Sequence, residues 1–300
     1  MSDSKWFLFC LLFLSYIYKY KKLEKNISII GSGFSSLAAS CYLAKAGYEV
    51  RVYEKNTTVG GRARQYKRDG FTFDMGPTWY WMPDVFEKFF SDFNKKSSDY
   101  YQLNKLTPAY QVYFDILDSI TIPGNLEEIY EVFEKEEEGS SKHLKSFLKS
   151  AEYNYKVSIN DLVYKPGVSP LELITPVTIG KITQFFSTIR KQVRKKIKSK
   201  KLIQILEFPV LFLGAKPSNT PACYNFMNYA DFSLGTWHPV EGMYKVIEAM
   251  VSLAVSLGVQ FKTNATVEEI SVNSLGEANG LIIDGDFVAS DVVLSGADYH

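Results

Sequence analysis

The chain has 300 residues, 46% of them apolar, and carries 34 basic against 33 acidic side chains. That length can bury one large or two modest cores, and the charge balance gives no support to a nucleic-acid binder or to a receptor for acidic substrates. Cys10, Cys41 and Cys223 are odd in number and lack CxxC or CxxH spacing, which argues against a disulfide framework and a zinc site and fits a reducing compartment.

Taken in chain order, Trp6 to Tyr18 (WFLFCLLFLSYIY) is a nearly apolar run of 13 residues followed by lysines from Lys19 to Lys25. It is short for a bilayer span, and it lacks the small-residue cleavage site of a signal peptide. Two readings stay open for residues 1–25: a shallow membrane anchor with a positive flank, or an extension unrelated to the fold. Asn26 to Ile30 then reads as a strand, Ser35 to Ala46 as a small-residue helix ending at Gly47, and Glu49 to Tyr53 as a second strand, which completes a βαβ unit. Gln65–Lys67 and Phe71–Phe73 flank an Arg-Asp-Gly turn and predict a hairpin. Pro83 starts a helix on which Val85, Phe86, Phe89, Phe90 and Phe93 form an apolar stripe, a pattern of core more often than of a site.

Tyr110–Phe114 and Ser119–Ile122 are expected strands, and from Asn125 to about residue 230 the pattern is helical, punctuated by six prolines. Within it, KITQFFSTIRKQVRKKIKSKK (181–201) places Ile182, Phe185, Phe186, Ile189, Val193 and Ile197 at helical steps among nine Lys or Arg residues. One basic amphipathic helix is predicted there, suited either to a membrane interface or to a core with a solvated basic face. After Gly242, MYKVIEAMVSLAVSLG reads as a helix. Val259–Phe261, Ala265–Val272, Leu281–Ile283, Asp286–Ala289 and Val292–Ser295 read as strands, with Asp284-Gly285 a hairpin signal. The boundaries implied are 1–25 extension, 26–100 first part of a dinucleotide-binding domain, 101–235 inserted helical domain, and 236–300 second part of the binding domain.

Gly31-Ser-Gly33-Phe-Ser-Ser36, between a strand and a helix, meets the context test for a dinucleotide fingerprint. The first glycine makes the tight turn, and the second lets backbone approach a pyrophosphate at the helix N-terminus, where N–H groups and the helix dipole favour an anion. Ser36 stands at the third position, where a small residue lets helix and strand lie close. Glu54, 23 residues after Gly31 at the end of the second strand, is placed to accept both ribose hydroxyls of an adenosine and disfavours a 2′-phosphate. NADP is thereby disfavoured, and NAD and FAD remain.

Gly60-Gly61-Arg62 and the run FTFDMGPTWYWMPDVFE, together with GTWHPVEGM and SDVVLSGADY, resemble the FAD-dependent carotenoid desaturases of the bacterial phytoene desaturase type, within the amine-oxidase-like flavoproteins. The resemblance runs from Asn26 to the end. It implies an α/β, Rossmann-like FAD domain, with a parallel sheet and a β-meander, interrupted by a largely helical substrate domain. It also implies FAD held by Gly31, Gly33, Ser36, Glu54, Gly60, Gly61 and Arg62, with Gly76, Pro77 and Thr78 near the isoalloxazine. Val267 would meet the adenine through its backbone, and Ser295 and Gly296, followed by Ala297, would end a strand against the cofactor. Glu241-Gly242 departs from the Gly-Gly pair usual in the family, and family members continue beyond the position of His300 with a further segment that closes over the flavin.

The chain shows no nucleophile triad, metal cluster or paired-carboxylate motif, and His143, His238 and His300 are isolated, so no catalytic residue is assigned. That fits a flavin enzyme, in which the cofactor carries the redox chemistry. The resemblance implies desaturation of phytoene or a related polyisoprenoid by hydride transfer to FAD, with quinone or oxygen as the electron acceptor. It also implies a peripheral position on the cytoplasmic face of a membrane, with contact expected at 181–201 or 6–18. A desaturase of a hydroxylated carotenoid, a carotene isomerase, an amine oxidase and a non-catalytic lipid binder like the Rab GDP-dissociation inhibitors are the alternatives.

Overall fold

In the computed structural model, which describes residues 25–165, 168–169 and 187–297, β1 (Asn26–Ile30) is buried through its three central residues and runs into Gly31. Helix α1 (Phe34–Lys45) follows, burying Ser36, Leu37, Ser40 and Cys41, a face at i, i+1, i+4, i+5 whose small residues let helix and sheet approach closely. Gly47, at φ +96°, stops it, and β2 (Glu49–Tyr53) returns. The hairpin β3 (Gln65–Arg68) and β4 (Phe71–Asp74) turns at Asp69-Gly70, both at positive φ.

The inserted part holds α2 (Pro83–Ser91), β5 (Leu103–Lys105), β6 (Tyr110–Asp115), β7 (Asp118–Ile122), α3 (Leu126–Glu136), α4 (Ser140–Asn160), α5 (Ile189–Arg194), α6 (Lys200–Glu207), α7 (Phe226–Phe232) and β8 (Trp237–Pro239). Asn125 caps α3 by accepting the Glu128 N–H at 2.9 Å, and Pro83 opens α2, where its missing N–H costs nothing. Then come α8 (Tyr244–Ser256), β9 (Gln260–Lys262), β10 (Val267–Val272), β11 (Ala278–Ile283), β12 (Asp286–Ala289) and β13 (Val292–Ser295).

These elements form two compact units, one from the two chain ends (through Thr78 and from Glu241) and one from Trp79–Val240. In the first, a parallel sheet has the order β13-β1-β2-β9, with Ile29 opposite both Leu294 and Val52. An antiparallel meander β10-β11-β12 joins it through a cluster of Tyr53, Ala265, Leu281 and Ile283. Asp284 and Gly285, at φ +53° and +82°, turn the β11–β12 hairpin, as the Asp-Gly signal predicts. In the second unit, Phe133, Leu144, Ile189, Val193, Leu202 and Leu206 lie in one buried core. Among the described residues no helix is long and apolar enough to cross a membrane.

Two expectations need correction. The inserted unit begins at Trp79 and ends at Val240, not at 101 and 235. Tyr80 exchanges backbone hydrogen bonds with Trp237 (3.1 and 3.0 Å), its hydroxyl lies 2.8 Å from that of Tyr101, and Phe90 stacks on Tyr100, so residues 79–101 pack within this unit. β5 and β8, which pair to complete it, are too short to show in a periodicity.

Nor is 181–201 a single helix. Residues 181–186 lie outside the described residues; beyond them α5 ends at Arg194 and α6 starts at Lys200, capped by Ser199 Oγ accepting the Leu202 N–H. The Glu137 carboxylate holds the break, accepting the Lys198 N–H (3.0 and 3.1 Å to its two oxygens) and the Ser199 N–H at 2.7 Å. Ile189, Val193 and Ile197 are 0%, 2% and 4% exposed, so the described part of the apolar face packs into protein core. The alternative contact, 6–18, lies outside the described residues.

Candidate functional site

β1 and its loop build the site from backbone outward. Gly31 takes φ +83°, and Gly33 precedes α1 without a side-chain cap, leaving the helix's first-turn N–H groups without carbonyl partners inside the helix. A Cβ on Gly33 would meet nothing within 4 Å, so space for a ligand lies directly over the backbone that leads into those donors. Gly60 closes over the loop by donating its N–H to Ser32 O at 3.0 Å, and Gly61 lies so near that its Cβ would come within 3.0 Å of Gly33 Cα. Ser36 is 1% exposed, and its hydroxyl would lie 2.1 Å from a Cβ on Gly296. Ser36 therefore packs α1 closely against the β13 end. Gly296 donates its N–H to Ile30 O at 2.9 Å, and Ser295 pairs with Ile30.

Glu54 is buried at the end of β2. Its Oε2 accepts from Ser32 N (3.0 Å) and Ser32 Oγ (2.6 Å), and its Oε1 from Asn56 N (2.9 Å) and Asn56 Nδ2 (2.5 Å). Burial alone would raise this carboxyl, but the four donors outweigh it and hold the pKa below its ordinary value. Asn264 donates its N–H to Asn56 O, and Ala265 to Glu54 O, which brings the start of β10, and Val267, beside the same strand end.

Gly76, at φ +95°, could carry no side chain, because its Cβ would fall 2.2 Å from Arg62 O. Gly76, Pro77 and Thr78 run exposed past this one-turn helix (Gly61–Ala63), and the Arg62 side chain is exposed as well. Asp74, to which the sequence assigned no role, accepts the Met243 N–H at 2.6 Å and the Gln65 amide at 2.9 Å, tying β4 to the start of α8. Glu241 holds φ +71°, a conformation that favours glycine. Its carboxylate is exposed and ion-paired with Lys245 at 2.9 Å. The structure thus brings Gly31, Gly33, Ser36, Glu54, Gly60, Gly61, Ser295 and Gly296 together at the carboxyl end of the parallel sheet, where open α/β sheets bind ligands. Their fit to a dinucleotide rests on the open backbone cradle at Gly33 and on a buried, ionised acceptor. Ser32 and Asn56, the partners of that acceptor, went unnoticed in the sequence, although Asn56 stands only two residues beyond Glu54.

The second unit carries its own feature, a pocket of about 610 Å³ lined by Trp79, Tyr110, Val112, Phe114, Phe208 and Leu211 among others. Trp79 stacks on Tyr110 at 5.1 Å between centroids. The Tyr110 hydroxyl donates at 2.5 Å to buried Asp231, whose carboxyl desolvation pushes up to about 7 against the lowering effect of its bonds from Tyr110 and Thr236. Among the described residues no group of three or more His, Cys, Asp or Glu side chains could hold a metal.

Residues 29–95 match a family model described as an NAD(P)-binding Rossmann-like domain. The chain is 38% identical over 283 residues to a carotenoid 3,4-desaturase of Haloarcula japonica, covering 92% of this chain and 56% of that protein. It is 33% identical over 277 residues to a 4,4′-diapophytoene desaturase of Staphylococcus aureus, covering 91% and 55%. It therefore spans little more than half the length of these relatives. Among solved structures, putrescine oxidase (18% identity, TM-score 0.57, 91% of this chain and 58% of that one) and a Plasmodium falciparum Rab GDI (13%, 0.55, 91% and 65%) share the fold. The GDI likeness is one of fold alone.

Proposed function

We propose, for a chain that belongs with the carotenoid desaturases of the FAD amine-oxidase-like superfamily, that it is the FAD-binding and substrate-binding portion of an enzyme desaturating phytoene or a related carotenoid. When bound, FAD would supply a hydride acceptor for a C–H bond of the polyisoprenoid, with a proton lost from the neighbouring carbon. The chain's own residues hold and orient. Glu54 offers the adenosine ribose an ionised acceptor, Gly31 and Gly33 let backbone donors reach the pyrophosphate, and Gly61 and Gly76 shape the path past Arg62. The aromatic pocket of the second unit suits a flat, apolar chain such as a polyene.

The observation that carries this reading is Glu54, an ionised carboxylate at the β2 end beside an open glycine cradle, in a chain similar to named desaturases over nine-tenths of its length. The same reading places the protein at a membrane surface, since the substrate partitions into lipid, and leaves the reduced flavin to be reoxidised by an acceptor such as quinone or oxygen. The test is an absorbance scan of the purified 300-residue chain with and without added FAD. Bound flavin with a protein-perturbed spectrum is expected. A chain that leaves the FAD spectrum unchanged at high micromolar concentration would defeat the reading for this chain.

A further inference from the structure

Resting on that reading, we infer that the Asn56 side chain is a gate on the adenosine end of the dinucleotide site, occupying the acceptor position on Glu54 that a ribose hydroxyl must take. A carboxylate has about four acceptor positions, and all four on Glu54 are filled by the chain itself. Two of the donors are backbone N–H groups, fixed by the fold. Of the two side chains, Ser32 is fully buried and locked, because its hydroxyl donates to Glu54 while accepting from Gly60 N at 3.3 Å. Asn56 is only half-buried. Its backbone is pinned at both polar atoms, N–H on Glu54 and C=O under Asn264 N–H, so its side-chain amide alone can leave without disturbing the loop. A ribose therefore gains Glu54 Oε1 by displacing Asn56 Nδ2.

Removing a competitor should tighten binding, which is the opposite of what loss of a structural contact would do. For Asn56→Ala, which keeps the backbone N–H bond to Glu54, FAD and ADP should each bind about three- to tenfold more tightly, while FMN, which has no adenosine, should be unchanged. The measurement is titration calorimetry or flavin-fluorescence quenching on the full chain, with the thermal midpoint recorded for both proteins. In a Glu54→Gln background the gain from Asn56→Ala should shrink. If wild type binds FAD and Asn56→Ala binds it equally or more weakly, or gains for FMN as much as for FAD, the gate is overturned while the FAD reading stands. If wild type binds neither FAD nor ADP, both fall.

Discussion

Asp231 shows how one residue can carry a pH signature. It is 3% exposed, and desolvation pushes its carboxyl up to about 7 although Tyr110 and Thr236 both donate to it. Below about pH 4 the group is protonated in folded and unfolded chains alike. Between there and about pH 7 only the unfolded chain releases the proton, so folding stability should fall as pH rises through this window, by a few kcal/mol in all, and level off above it. Asp231→Asn stays neutral and still accepts from Tyr110. Thermal midpoints by circular dichroism between pH 4.5 and 8 should slope downward for wild type relative to this variant, and parallel curves would rule out the carboxyl as the cause. Glu54 works in the reverse sense, because its four donors stabilise the charged form.

At the scale of elements, the instructive case is the break between α5 and α6. The basic run around Ile189, Val193 and Ile197 has a helical period, and its local punctuation is the pair of helix-capping residues Thr188 and Ser199. The stop comes from Glu137, distant in sequence, which binds the N–H groups of Lys198 and Ser199. Glu137→Ala should therefore cost about 1–2 kcal/mol and lower the thermal midpoint by several degrees. An unchanged midpoint would mean that the Ser199 cap suffices alone. The elements that were legible in the sequence are those with local causes. β1 and β13 are short, mostly apolar runs ended by glycine, β2 alternates charged and apolar residues, the Asp284-Gly285 hairpin carries its own turn chemistry, and Asn125 and Pro83 mark helix starts. β5 and β8 have no such cause. Each has three residues and exists because the other supplies its hydrogen bonds, so no window of sequence contains the signal. The site divides the same way. The glycines and Glu54 were readable by spacing, whereas Ser32 and Asn56 became visible only once the carboxylate's partners could be named.

Across the whole molecule, the dinucleotide site depends on both ends of the chain. β1 lies between β2, which follows it directly, and β13, the last strand described, and the contact that closes this sheet is Ser36 against Gly296. A Cβ on Gly296 would sit 2.1 Å from Ser36 Oγ, which must change rotamer in a fully buried site, and 3.0 Å from Ile30 O, a backbone atom that cannot move without shifting β1. Gly296→Ala should accordingly destabilise the first unit by about 1–3 kcal/mol through overpacking and weaken FAD binding along with it. Ser36→Ala removes the oxygen and leaves a Cβ at an ordinary 3.5 Å, so the double variant should recover part of the loss, though not the share due to Ile30 O. Chemical denaturation of the four proteins gives the coupling directly. Strict additivity would mean that the two ends do not meet through this pair. A recovery of about 1 kcal/mol or more would show that the residue at the third position of the fingerprint is coupled to Gly296.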